Sequence, residues 1–236
     1  MVFTLSTPLP GDAAVGRVLV TGAAGRIGSG FLRHVAGRYV LRATDVRPLE
    51  FSDYVPADLG DTDALARACA EVDTVVHLGA DPSLAADWES LLPNNIVGCR
   101  NVFEAAAQAG VRRVVFASSV HAVSGYPAGK QISADDPVNP GNLYGVTKVF
   151  GEALGRYYAE QRGLSVIALR IGAFHTAGTQ PEPLPYNEFL HLLETDLYEI
   201  MIRAIEVRGI RYAVVNAISD QVGGRLDMTA TRELLG

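Results

Sequence analysis

The chain has 236 residues, of which 48% are hydrophobic and 19% charged, with a formal net charge of −6. One large domain with a full core is expected, and an acidic balance without a basic cluster excludes nucleic acid as a partner. No apolar run approaches the roughly 20 residues needed to cross a bilayer, so no membrane partner is expected.

Residues 1–16 carry Pro8, Pro10, Gly11 and Gly16 and lack both a basic start and a long apolar stretch. They read as a flexible N-terminal arm, not as a signal peptide. Cys69 and Cys99 fall far apart in helical patterns. That suits two buried thiols in a reducing, cytoplasmic compartment, not a disulfide. The five histidines show no ligand spacing, so no metal site is expected.

The first apolar run, Arg17-Val18-Leu19-Val20, reads as a strand, and Ile27 to Val35 as a helix. Between them lies Thr21-Gly22-Ala23-Ala24-Gly25-Arg26-Ile27, closed by Gly28. Gly22 permits a tight turn out of the strand. Gly25 lets backbone approach a pyrophosphate, and Gly28 lets the helix pack against the strand. The helix N-terminus then offers N–H groups and a positive dipole end to phosphates. Gly22, Ala24, Gly25, Arg26, Ile27 and Gly28 are therefore expected to hold a dinucleotide. Asp45 ends a second apolar strand, Tyr39 to Asp45, 17 residues past Gly28. A carboxylate there accepts from both ribose hydroxyls and repels a 2′-phosphate, which favours NAD over NADP. Arg42 and Arg47 flank it and are the groups that would hold a 2′-phosphate.

A short strand is expected near Tyr54-Val55-Pro56, followed by Asp58-Leu59. Asp61-Thr62-Asp63 caps a helix running through Cys69. Asp73 to Leu78 is continuous and apolar, as in a strand buried on both faces. A helix is expected over Ile96 to Ala109, ended by Gly110, then a strand at Val114 to Ala117. Leu143 to Arg162 reads as a helix and Ser165 to Ile171 as a strand. Such alternation means an α/β fold, a doubly wound parallel sheet of the Rossmann type, with ligands at the carboxyl ends of the strands. The core is expected to span 17–172. Residues 173–236 read as a small C-terminal substrate-binding portion of the same domain. It would comprise a long loop over 173–195, a helix from Asp196 to Val207, a strand from Arg211 to Val215 and a helix from Thr229 to Leu235.

Tyr144 and Lys148 stand four apart in a helical segment and so project from one face. Ser118-Ser119 ends the preceding strand, at the sheet edge where the cofactor is expected. An ammonium near a phenol stabilises phenolate, and a phenolate can take a proton from a substrate hydroxyl.

Together these residues resemble the extended short-chain dehydrogenase/reductase family, which includes NAD-dependent epimerases and dehydratases. The resemblance runs in order through Thr21 to Gly28, Asp45, Asp58-Leu59, His77-Leu78-Gly79-Ala80, Asn95-Ile96-Val97-Gly98, Phe116-Ala117-Ser118-Ser119, Tyr144-Gly145-Val146-Thr147-Lys148 and Arg170-Ile171-Gly172. It implies Tyr144 as general acid/base, Lys148 on the nicotinamide ribose, and Ser119, in preference to Ser118, on the reacting oxygen. It further implies Asp58 and Leu59 at the adenine, and Gly79 and Ala80 under the nicotinamide ribose. Asn95 would brace the catalytic helix. Leu78, Ala117, Ser118 and Ile171 complete the implied cofactor set. The partner is a small sugar-like molecule, since only 64 residues follow Gly172. A homodimer through the helices at Ile96–Ala109 and Leu143–Arg162 is also implied.

Within the family the chain is most similar to compact uronate dehydrogenases, which oxidise the C1 hydroxyl of a hexuronic acid to a lactone with NAD⁺. His121, Ala173 and His175, with Ser119, would line the substrate site. Where those enzymes carry Asn and Ser, this chain has Val120 and Ala173. Between Ala173 and Tyr198 it has no Arg or Lys to pair a carboxylate, but Glu182, Glu188, Glu194 and Asp196. A bidentate Arg is the usual carboxylate anchor, so a neutral sugar or other secondary alcohol is as well supported as a uronate. An epimerase retaining NAD is the alternative enzyme, and a non-catalytic NAD(P) sensor the alternative of another class.

Overall fold

A computed structural model of the chain describes residues 15–176, 178–179, 190–219 and 224–236. All but the last two residues of the expected arm lie outside these, as do Glu182 and Glu188 of the expected loop. Six parallel strands form the central sheet in the order β2-β1-β3-β4-β5-β8. They are β1 (Arg17–Thr21), β2 (Val40–Thr44), β3 (Thr74–His77), β4 (Arg113–Ser119), β5 (Ser165–Ile171) and β8 (Tyr212–Ala217). Sequence order reverses beside β1, and the carboxyl ends of β1 and β3 diverge there into a crevice.

Alternate residues of each strand feed opposite cores. Val18, Val20, Val76, Val115 and Ile167 pack under α1 (Arg26–His34) and α6 (Glu194–Glu206). Leu19, Val75, Val114 and Val166 pack under α2 (Thr62–Cys69), α4 (Gly98–Gln108) and α5 (Leu143–Gln161). All seven residues of β4, and all seven of β5, are buried, as a strand covered on both faces requires. Asp61 caps α2 by accepting from the Ala64 N–H at 2.9 Å. Arg113, fully buried at the start of β4, donates Nη1 to the carbonyls of Ala204, Ile205 and Val207. A fixed cation thus meets the last carbonyls of α6, the negative end of that helix.

Four features differ from the sequence reading. Tyr54 forms only an isolated bridge with Ala43, not a strand. The helical segment before β4 starts at α3 (Trp88–Leu91), not at Ile96, and passes through a π-helical turn, Leu92–Val97, into α4. Pro93-Asn94-Asn95 imitates a helix stop, but the helix passes through it by widening into a π-helical turn that accommodates Pro93. The expected loop over 173–195 carries two strands, β6 (Ala173–His175) and β7 (His191–Leu193), paired in parallel. Three-residue strands are too short to show a period. Finally, β8 extends to Ala217 and pairs with β5, so the main sheet is completed from beyond Gly172. The last helix is α7 (Thr229–Leu235), at the expected position.

Candidate active site

The turn after β1 is built on backbone proximity. Gly22 has φ +65°, and a Cβ there would lie 2.8 Å from the Gly79 nitrogen. A Cβ on Gly28 would lie 2.3 Å from the Gly22 carbonyl oxygen. Only glycine fits at either place. Helix α1 begins at Gly25 with no side-chain cap and no acid in its first turn. Its N–H groups therefore face the cleft without a protein carboxylate competing for them, which fits a pyrophosphate.

Asp45 follows β2, nearly buried, and accepts from the Ala24 N–H and the Arg47 N–H, both at 2.9 Å. Those two bonds aim the carboxylate and leave lone pairs for a ribose diol. Deeper in, Thr21 Oγ1 accepts from the Gly79 N–H at 3.1 Å and lies 2.8 Å from His77 Nδ1. Burial, aided by the Lys148 charge, pushes the His77 imidazole down to about 3. The ring is thus neutral, and its Nδ1 shares one hydrogen bond with the Thr21 hydroxyl. This chain of bonds holds Gly79 against the turn.

At the other end, Asn142 caps α5 by accepting from the Gly145 N–H at 2.7 Å. Tyr144, Lys148 and Glu152 then fall at successive fourth positions on the face turned to β4. Lys148 Nζ donates to the Ala117 carbonyl at 2.9 Å and lies 5.3 Å from the Tyr144 ring centroid. Ser118 donates to Glu152 Oε1 at 2.6 Å. Glu152 is paired with Arg170 by two bonds of 2.9 Å, with both side chains buried. Ser119 Oγ accepts from the His121 N–H at 3.2 Å, and its own proton has no acceptor among the described residues. Ser119 is therefore the serine whose hydroxyl is available to a ligand.

One cleft of about 650 Å³ connects the two ends. It brings together Gly22, Gly25, Arg26, Ile27, Gly28, Asp45, Leu59, Leu78, Gly79, Ala80, Ala117, Ser118, Ser119, Tyr144, Lys148 and Ile171, all singled out from the sequence. A family model described as the NAD dependent epimerase/dehydratase family matches residues 18–209. The chain belongs to that family.

This member of the epimerase/dehydratase family is 36% identical over 240 residues to the L-arabinose 1-dehydrogenase (NAD(P)(+)) of Haloferax volcanii, covering 93% of this chain and 94% of that protein. It is 33% identical to the NAD-dependent glucose-6-phosphate dehydrogenase of the same organism, covering 93% and 91%. Among solved structures it is similar to a mutant uronate dehydrogenase from Agrobacterium tumefaciens complexed with NAD. That match has 32% identity and a TM-score of 0.84, covering 94% of this chain and 83% of the other.

Three residues expected at the cofactor do not line the cleft. Ala24 spends its N–H on Asp45. Asp58 is exposed, and its carboxylate accepts from the Gly60 N–H at 2.7 Å. Asn95 is buried. Its Oδ1 accepts from the Asp81 N–H at 2.8 Å, and its Nδ2 donates to Thr147 Oγ1 at 3.1 Å, bracing the catalytic helix against the loop after β3. Phe174 lines the cleft and was missed. Its ring lies 5.7 Å from the Arg26 guanidinium, and its carbonyl accepts from Arg26. Side chains alternate along β6, so Ala173 and His175 point away from the cleft that Phe174 faces. His175 Nδ1 bonds the Thr179 carbonyl at 3.0 Å instead.

His121 lines a second cavity, of about 220 Å³, immediately beyond Ser119. Its ring sits edge-on to Tyr144 at 6.0 Å, Nδ1 accepts from Asn142 Nδ2 at 3.0 Å, and burial lowers its pKa. Val120, Ser124, Ile132, Leu190, Arg225 and Leu226 also face this cavity. Among the described residues no cluster of metal-ligating side chains forms, and no helix is long and apolar enough to cross a membrane.

Proposed function

We propose that the protein is an NAD-dependent dehydrogenase that oxidises a hydroxyl of a small sugar-like substrate. The observation that carries the reading is the meeting of Ser119, Tyr144 and Lys148 at one end of a cleft whose other end joins the glycine turn to Asp45. The names of the three relatives given above, dehydrogenases of a sugar, a sugar phosphate and a uronate, support the substrate class. NAD supplies the acceptor for the hydride that leaves the substrate carbon. The glycine turn and the α1 N-terminus hold the pyrophosphate, and Asp45 accepts from the adenosine ribose. Asp45 also disfavours a 2′-phosphate, so NAD is preferred to NADP. Tyr144 takes the proton of the reacting hydroxyl. Lys148 holds a positive charge beside the phenol oxygen as it exchanges that proton. Ser119 donates to the substrate oxygen while it becomes a carbonyl.

The same reading includes a homodimer formed through α4 and α5, supported by exposed Val146 and Tyr157 on α5 and by exposed Val97 at the end of the turn that leads into α4. A reducing, cytoplasmic location is supported by two buried free thiols, each pushed up to about 12 by burial. The test is NADH formation from NAD⁺ with neutral aldoses, uronates and sugar phosphates, with Tyr144→Phe as the control. Turnover on one class, lost in the variant, supports the reading. No turnover, with NAD copurifying, favours the epimerase alternative.

A further inference from the structure

The smaller cavity carries a charge that the reading above does not use. Of the described side chains that line it, Arg225 is the only one with a formal charge, since His121 is held toward neutrality by burial. Arg225 is tied to Ile132 through the main chain. Its carbonyl accepts from the Ile132 N–H at 2.8 Å, and the Asp227 N–H donates to the Ile132 carbonyl at 2.8 Å. The bridge so formed, Ile132 to Leu226, is itself buried in a small apolar cluster with Val120, Val123 and Leu190. Among the described residues the guanidinium makes one bond, from Nη2 to the Tyr126 carbonyl at 2.5 Å, and its buried Nε has no partner there. A guanidinium has five N–H donors in a fixed fork, and a half-buried one with no carboxylate among the described residues leaves most of its bonding capacity unused.

The cavity also borders the proposed catalytic residues. Its wall residues Val120 and His121 directly follow Ser119, and Asn142 caps the helix that carries Tyr144. A volume of about 220 Å³ is below the roughly 300 Å³ at which pockets for drug-sized ligands begin, and it suits one sugar ring, not a nucleotide.

We propose that Arg225 is a substrate-specificity residue, which holds an anionic oxygen group of the sugar, a carboxylate or a phosphate, at the end away from the reacting hydroxyl. This rests on the sugar dehydrogenase reading. It supplies from the C-terminal segment the cation that residues 173–198 lack. The anion fills the free side of the fork, and Ser124 stands in the same cavity as a further polar group.

The test titrates the NADH-loaded protein with a hexuronate, the matching neutral hexose and the matching hexose phosphate. The wild type is expected to bind one of the two anionic sugars at least about 10-fold tighter than the neutral one, the range of a hydrogen bond to a charged group. Which of the two is preferred identifies the anion. In Arg225→Gln that preference disappears, while affinity for the neutral hexose and for NADH stays within about 2-fold. With NAD⁺, the same variant raises KM for the anionic sugar and leaves kcat nearly unchanged. Arg225→Lys keeps the charge but loses the fork, and gives an intermediate preference, which serves should the glutamine variant fold poorly. Equal binding of neutral and anionic sugars by the wild type overturns the proposal. So does an unchanged preference in both variants, or a loss that affects all three sugars equally. A preference that depends on Arg225 without turnover of any sugar overturns the dehydrogenase reading and leaves the Arg225 assignment standing.

Discussion

Lys148 donates its ammonium to the carbonyl of Ala117 at 2.9 Å, which ties the catalytic helix to β4 two residues before Ser119. The strand end, not the solvent, sets where that charge sits, and Lys148 is only 5% exposed.

Lys148→Met removes the charge and leaves the Ala117 carbonyl without its partner. The expected outcome is a fall in kcat/KM of about 10²–10⁴-fold, the usual worth of a positioned proton-transfer group. Melting should change far less than activity. Steady-state kinetics beside a thermal melt checks this. A variant within a few-fold of wild type would remove Lys148 from the chemistry.

Glu152 and Arg170 form a buried pair beneath Ser118. Glu152→Ala leaves the Arg170 charge buried and unpaired, which is expected to cost about 3–5 kcal/mol of stability. Replacing both residues with apolar side chains of similar size should be less harmful than the single change. Chemical denaturation of the single and double variants decides, and a single variant that loses less than the double contradicts this account.

Gly28→Ala puts a methyl group 2.3 Å from the Gly22 carbonyl oxygen and 2.9 Å from the Ala23 Cα, both main-chain atoms. The turn must shift, at about 1–3 kcal/mol, and the pyrophosphate site shifts with it. NADH titration by fluorescence is expected to show affinity at least about 10-fold weaker, because the site is made of main-chain N–H groups. Wild-type affinity would mean that the turn does not bind the dinucleotide.

His77 gives stability a defined pH dependence. Its folded value lies near 3 and its ordinary value at 6.5, so between these the unfolded chain holds a proton that the folded chain lacks. The contribution is fully present above pH 6.5 and is lost as the pH falls toward 3, at up to about 1.4 kcal/mol per unit. A variant at His77 that keeps the fold, such as His77→Gln, should lose about 2 kcal/mol less than wild type between neutral pH and pH 5. Equal slopes for both proteins would show that His77 is not the group responsible.

The fold was legible because long strands and helices repeat their period and because the turns carry glycine. The Gly22 to Gly28 turn, Asp45, Ser119, Tyr144 and Lys148 were legible because each sits at a fixed offset from such an element. What escaped depends on the third dimension. Phe174 reaches the cleft through one residue's alternation on a strand of three. Arg225 reaches the cavity through a bridge to Ile132, far away in sequence. Asn95 braces the catalytic helix as expected, but its second hold, on the Asp81 loop, escaped. His175 was misplaced because chemical type does not say which face of a short strand a side chain takes.

The sixth strand has a consequence for how the chain is made. β5 has seven buried residues and gains its outer neighbour only when Tyr212–Ala217 pairs with it. During synthesis β5 is therefore a bare edge until the chain has been made past Ala217. A chain cut before Tyr212 keeps that edge open, the arrangement that invites strand-to-strand association between copies. The short segment that ends the sheet thus also covers the edge that would otherwise be open to strand pairing.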